Sequence, residues 1–184
     1  MKKRIYLRAL EPDDYKTSIS WRNDPEILDM IGGPKFFVSK ETERKWVESN
    51  IGSNEKIVLA ICLKDSNKYI GNIIIKDIDW RNRSVSMPIL IGDKEEWGKG
   101  YATEARMMLL DYVFNEMGMN RVWGLVLENN IASIRSVEKC GFHKEGIMRE
   151  SVFKNGKYHN QVLLSILKEE FLPIYKDYLN KFDK

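Results

Sequence analysis

Apolar and polar side chains alternate from residue 4 to residue 9 (RIYLRA), the two-residue period of a half-buried strand. EPDDYKTSISW follows, with Pro12 in the first helical turn and Asp13 and Asp14 behind it, and this predicts a helix start. Residues 23–38 mix Asn, Asp, a Gly-Gly pair, prolines and aromatics, and predict an irregular loop. SKETERKWVESNI opens on Ser39 as a cap and predicts a second helix.

Three strand patterns come next: KIVLAICLK, KYIGNIIIKDID and SVSMPILIG, separated by the turn-like DSN and DWRNR. Pro88 stands inside the third. It has no N–H to give to a ladder, so the strand is expected to bulge or open there. From about residue 100 to 117, Tyr101, Ala105, Met108 and Tyr112 form one helical stripe and Ala102, Leu109 and Val113 another. RVWGLVL reads as a short buried strand. NIASIRSVEKCGF reads as a helix beginning after Asn130 and stopped by Gly141. FHKEGIMRESVFKNGKYHNQVLLSIL reads as two strands around the hairpin signal Asn155-Gly156. The order β-α-α-β-β-β-α-β-α-β-β predicts an α+β layered domain, a mixed sheet with helices on its faces. No repeat or linker interrupts it, so residues 1–184 are expected to form a single domain.

Composition narrows the classes of function. The chain is 43% hydrophobic and 31% charged with a net charge of +3, the profile of an ordinary globular protein. Lys and Arg are interleaved with Asp and Glu and form no concentrated basic face, which argues against nucleic acid. A weaker reading from the pI near 8.7 makes the chain a duplex binder whose affinity falls with salt. Cys62 and Cys140 share no metal or redox spacing and read as buried thiols. No apolar leader segment opens the sequence, and no apolar run approaches the roughly 18 residues that span a bilayer. These absences give the expectation of a cytoplasmic protein without a membrane partner.

The candidate chemistry lies in EEWGKGYATEA, residues 95–105, where two glycines precede a helix. A P-loop needs G-x-x-x-x-G-K-[ST], and that spacing is absent. A dinucleotide fingerprint needs a third glycine where Thr103 stands, and no acidic strand end follows at the required spacing. A G-x-G between strand and helix remains. It is either a tight turn or a nest of outward N–H groups at residues 98–103, aimed at an anion by the helix dipole, with Lys99 adding charge.

With WGKGYATEA, the Pro88 break and NIASIRSVEKCGFHKEG read together, the chain resembles the GNAT N-acetyltransferase family. The likeness is to the branch of ribosomal-protein N-terminal and spermidine acetyltransferases, and runs from IYLRALEPDD to NGKYHNQVLLSIL. The resemblance implies a mixed, mostly antiparallel sheet splayed at its fourth and fifth strands, with acetyl-CoA as cosubstrate and no metal. Acceptor-side elements are then expected at about 1–55, the acetyl-CoA core at about 84–145 and a C-terminal hairpin at about 142–168. The family's pyrophosphate motif, [Q/R]-x-x-G-x-[G/A], falls on Glu95, Gly98 and Gly100, with Glu95 departing from it. Gly98, Lys99, Gly100, Tyr101, Ala102 and Thr103 would then cradle the pyrophosphate. Ile89, Leu90 and Ile91 would line the pantetheine arm and supply an oxyanion N–H. Asn130 would contact the same arm, with Ser133 one turn further. Trp97 would cover the cofactor or pack the helix start.

The implied reaction is direct attack of a primary amine on acetyl-CoA in a ternary complex. A base or water chain must take the amine's proton. The positions where relatives carry an acidic tyrosine and a fourth-strand carboxylate are Val137 and Ser86 here. Ser133 is the candidate acid, with helix capping as its ordinary alternative. Glu150 is the candidate base or amine anchor, and otherwise a solvent-facing strand residue. Tyr158 and His159 lie beyond the last turn. Trp21, Arg22 and the loop through Phe36 and Phe37 occupy the acceptor region or are plain packing. Glu41, Glu43, Asp77 and Asp79 are acids available to a polyamine. A protein N-terminus, a polyamine and an amino sugar all remain open as acceptors, as does a homodimer or higher homo-oligomer. The rival reading is a non-catalytic acyl-CoA-binding module, motivated by Val137 and Ser86.

Overall fold

The alternating N-terminal segment forms β1, Ile5–Ala9, at one end of an eight-stranded sheet. The computed structural model describes residues 3–33 and 37–180. The other strands are β2 (Ile57–Leu63), β3 (Tyr69–Asp79), β4 (Ser84–Ser86), β5 (Ile89–Ile91), β6 (Arg121–Leu127), β7 (His143–Lys154) and β8 (Lys157–Leu167). Their order is β1-β2-β3-β4-β6-β8-β7, with β5 set beside β3. All pairs are antiparallel except β4 with β6.

The helices are α1 (Tyr15–Arg22), α2 (Pro25–Met30), α3 (Lys40–Asn50), α4 (Tyr101–Asp111), α5 (Ile131–Glu138) and α6 (Lys168–Leu179). One apolar layer joins Ile73, Val122 and Ile166 of the sheet to Leu110 of α4 and Phe171 of α6. On the other face Trp21 and Val47, from α1 and α3, close over Val58, Ala60 and Tyr69. Cys62 and Cys140 are both buried free thiols, and burial pushes the Cys140 thiol up to about 11. Among the described residues no helix is long and apolar enough to cross a membrane.

Two departures from the sequence reading have physical causes, and the break expected at Pro88 is present. Residues 23–38 are not wholly irregular: Asp24 caps α2 by accepting from the amides of Glu26 and Ile27, and Pro25 takes the first helical position. The third strand pattern splits into β4 and β5 on either side of Pro88. C-terminal to β8, where the apolar pattern predicted nothing, α6 docks through Phe171. That ring is fully buried, its centroid 5.2 Å from Phe114 and 4.9 Å from Tyr175.

Phe171→Ala is expected to lower the unfolding free energy by about 3–5 kcal/mol, the usual loss for emptying a buried aromatic site. Urea unfolding followed by circular dichroism reads it.

Candidate active site

β5 and β6 stand side by side in the fold without pairing. β5 pairs with β3 across Gly71–Ile73. The amide of Ile74 donates to the carbonyl of Pro88 at 3.0 Å, so the proline is held against β3 although it donates nothing. β4 pairs with β6 only as far as Trp123, and the last link is Met87 N to Trp123 O at 3.1 Å. From Gly124 to Leu127, β6 is bonded to β8 on one side and open on the other. The strands therefore fork, and a cavity of about 670 Å³ occupies the fork. Ile89, Leu90 and Ile91 line one wall and Gly124–Leu127 the other, as the splayed sheet requires.

At one end of the cavity α4 begins. Gly98 and Gly100 have φ of +74° and +86°, in the left-handed region that favours glycine. Gly100 is the helix N-cap and offers no capping side chain; the first helical bond is Glu104 N to Gly100 O at 3.1 Å. The N–H groups of Tyr101, Ala102 and Thr103 thus have no carbonyl inside the helix and sit at its positive end. Gly98, Gly100, Tyr101, Ala102 and Thr103 line the cavity. The neighbouring Trp97 does too, and its Nε1 donates to Ile91 O at 2.7 Å, bracing β5 against the cradle.

The cradle is held from behind by β1. Buried Glu104 accepts from the amides of Arg4 (2.7 Å) and Ile5 (3.3 Å) and from Arg4 Nε (3.1 Å). Arg4 Nη1 donates to Lys99 O at 2.9 Å, and its guanidinium lies 4.6 Å from the Tyr101 ring centroid. Lys99 itself departs from expectation. Its ammonium bonds Glu96 at 2.8 Å and its side chain does not line the cavity.

At the start of α5, Asn130 Oδ1 accepts from the Ser133 amide at 3.0 Å, so Asn130 is the cap. Ser133 therefore does not cap; its hydroxyl has no partner among the described residues, and the residue lines the cavity. Asn130 Nδ2 donates to Met30 O at 2.8 Å, tying α5 to the far wall, where Ile27, Met30, Ile31 and Gly32 line the cavity. Lys154, buried at the tip of the β7–β8 hairpin, donates from Nζ to the carbonyls of Leu28 and Ile31. Asn155 Nδ2 donates to Asp29 at 2.9 Å.

Other candidates fall elsewhere. Glu150 does not line the cavity: a register shift between Met148 and Val152 places it on a bulge with φ +51°, exposed, its amide donating to Asn160. Tyr158 meets Phe153 edge-on, and His159 Nε2 meets Lys154 O at 3.2 Å. Trp21 is core, edge-on to Tyr69, and Arg22 pairs with buried Glu43 at 3.0 Å. Glu41 pairs with Arg44, and Asp77 and Asp79 lie away from the cavity wall. Phe37 is exposed, and Phe36 lies outside the described residues.

The sequence reading missed Arg106, Ser136 and the apolar wall from α2. Arg106 lines the cavity and is 4% exposed. Its Nη1 donates to Ser136 Oγ at 2.8 Å, which lies 3.1 Å from Thr103 Oγ1. The signal was available: Arg106 interrupts the apolar stripe Ala102, Leu109, Val113.

The profile of the acetyltransferase (GNAT) domain family matches residues 4–143, most of the chain. The chain belongs to the GNAT acetyltransferase family. This GNAT protein is an acetyl-CoA-dependent N-acetyltransferase. It is 32% identical over 167 residues to the prophage-derived uncharacterized N-acetyltransferase YokL of Bacillus subtilis, across 91% of this chain and 92% of that one. It is 26% identical over 173 residues to the spermidine N(1)-acetyltransferase of Vibrio cholerae, across 94% and 98%. The crystal structure of a Vibrio cholerae spermidine N-acetyltransferase with CoA and spermine superposes with a TM-score of 0.85 at 25% identity, covering 93% of this chain and 99% of that one. The GNAT fold, with its mixed sheet and flanking helices, is the one expected from the sequence. The site fits the family's cosubstrate: a bare helix N-terminus for phosphate, a fork with open strand edges, and a cavity within the range of about 300–1,000 Å³ that small molecules occupy. Among the described residues no cluster suits a metal.

Gly100→Val is expected to abolish acetyl-CoA binding by calorimetry while circular dichroism stays unchanged. A β-branched residue resists φ near +86° and would turn the first-turn amides away. Wild-type affinity in the variant would remove the cradle from the binding site.

Proposed function

We propose that the enzyme acetylates a primary amine by direct attack in a ternary complex, and that the amine is a peptide α-amino group rather than a polyamine nitrogen. The observation that carries this reading is the charge of the cavity wall. Glu96 is the one carboxylate among its lining residues, and that carboxylate is shared between Lys99 at 2.8 Å and Lys68 at 3.8 Å. The wall away from the cradle is Ile27, Met30, Ile31, Leu125 and Leu127. Each ammonium of a polyamine needs a counter-charge when it leaves water, and this wall has none to give. A peptide N-terminus brings one amine and a side chain that an apolar wall can cover. The relatives named for spermidine therefore guide the reaction and not the acceptor.

The amine nitrogen bonds to the acetyl carbon, the carbon–sulfur bond breaks, and the thiolate that leaves takes a proton. An N–H on the open edge of β5 stabilises the carbonyl oxygen as it becomes negative. The Ser133 hydroxyl, which has no partner among the described residues, donates a hydrogen bond to the departing sulfur and relays to it a proton taken up from solvent. Among the described residues no histidine lines the cavity and its one carboxylate, Glu96, is paired with Lys99, so the amine loses its proton to solvent. That favours an α-amine, with a pKa of about 7.7–8.0, over an alkylamine near 10.4.

An acceptor panel read by thiol release tests the assignment. A peptide with an apolar first residue should exceed spermidine in kcat/KM by about tenfold or more, one pKa-scale step of about 1.4 kcal/mol. A preference for spermidine would overturn it. The pH profile follows: with no enzymic base, kcat/KM should climb about tenfold per pH unit and level off at the acceptor's own pKa. A plateau well below that pKa would show that the protein supplies a base. Ser133→Ala should lower kcat about tenfold or more with acetyl-CoA affinity intact; an unchanged kcat would leave the departing thiolate without this acid.

A further inference from the structure

Arg106 is a cation held inside the protein with no carboxylate paired to it among the described residues. Only 4% of it is exposed, and Ser136 takes the one hydrogen bond it makes among the described residues. A guanidinium carries five N–H donors and cannot lose its charge easily. Burial draws its pKa down to about 10, still well above neutrality, and the Cys140 thiol, the group that opposes this, is neutral at pH 7 with a pKa near 11. Three buried carboxylates each have a cation: Glu104 pairs with Arg4, Asp14 with Arg8 and Glu43 with Arg22. An uncompensated buried charge is strongly unfavourable, so a fold that keeps one has left room for its partner.

The location identifies the partner's chemistry. Arg106 follows Thr103 by one helical turn, and Thr103 is the last residue of the cradle. The hydroxyls of Thr103 and Ser136 bridge α4 and α5 between the cradle and the guanidinium. Arg135 of α5 and Lys139, its C-cap, line the same cavity, so its cations lie on α4 and on α5 and its end. We infer that Arg106, oriented by Ser136 and Thr103, is the buried counter-charge for a phosphate group of CoA. This rests on acetyl-CoA binding in the fork. Backbone amides alone offer partial charges; Arg106 adds a full one where water is scarce, and charge-assisted bonds there are the strong kind. The phosphate is either the diphosphate bridge or the 3′-phosphate.

The competing role is structural, a guanidinium that only ties α4 to α5. Arg106→Met separates the two, because Thr103 and Ser136 still satisfy each other once the guanidinium is gone. Binding of CoA, dephospho-CoA and pantetheine is measured by calorimetry for wild type, Arg106→Met and Arg106→Lys, with thermal unfolding of the ligand-free proteins. In Arg106→Met, CoA affinity should fall about 10- to 100-fold, the loss of one or two charge-assisted hydrogen bonds. Pantetheine, which has no phosphate, should bind as before, and Arg106→Lys should recover part of the loss. The ligand-free Arg106→Met protein should melt no lower than wild type, and by about 2–4 °C higher if removing the charge returns 1 kcal/mol. Dephospho-CoA losing affinity as CoA does assigns the diphosphate; dephospho-CoA unaffected assigns the 3′-phosphate. Equal losses for CoA and pantetheine, or none for either, would overturn the inference. Wild-type protein that binds none of the three would instead refute the placement of acetyl-CoA in the fork.

Discussion

The site depends on backbone pairing that changes partner at Pro88. The ladder from β4 to β6 ends with Met87 N donating to Trp123 O, and the next residue, Pro88, turns its carbonyl to Ile74 of β3. β5 stays with β3, β6 stays with β8, and the space between them opens into a cavity of about 670 Å³. In most sheets an unpaired edge is a liability. Here two edges face each other across a gap lined by Ile89–Ile91 and Gly124–Leu127, which leaves backbone groups available to an extended ligand. The same fork sets the direction of α4, whose N-terminus stands beside the opening.

The two ends of the fork differ in charge, and different parts of the chain hold them in place. The cradle end is anchored to β1 through buried Glu104, which receives the first backbone amides of the strand. A helix N-terminus fixed in this way keeps its dipole and bare amides aimed without moving when an anion arrives. The opposite end is α2, whose carbonyls are taken by Asn130 and Lys154. Those bonds join this apolar wall to α5 and to the hairpin, so the two ends of the cavity are tied together. Cations and N–H groups converge on the first end and aliphatic side chains on the second.

The fork was legible in the sequence because its cause is local. Pro88 and the G-x-G spacing are properties of single residues, and glycine at φ +74° and +86° is what that spacing asks for. Helix α2 was hidden, although Asp24 and Pro25 are proper start signals, because a short helix beside Gly32 and Gly33 carries too few apolar repeats to show a period. Glu150 pointed the wrong way for a similar reason. Alternation places residues on strand faces only while the register holds, and β7 shifts between Met148 and Val152. Helix α6 has Pro173 in its interior, which runs against helix propensity, and it forms because Phe171 is buried against Phe114.

The sequence by itself determined the order of elements, the break in the sheet, the cradle and, through the family resemblance, the cosubstrate. These follow from dihedral limits, missing donors and periodicity, which act within a few residues. Tertiary structure decided which polar groups are free. Asn130 is used up as a cap and a tie, Lys99 is occupied by Glu96, and among the described residues the Ser133 hydroxyl has no partner and buried Arg106 meets no carboxylate. Whether a side chain is spent or available depends on neighbours distant in the chain, 100 residues apart for Asn130 and Met30. Desolvation and pairing, unlike backbone preference, have no local signature for a sequence to carry.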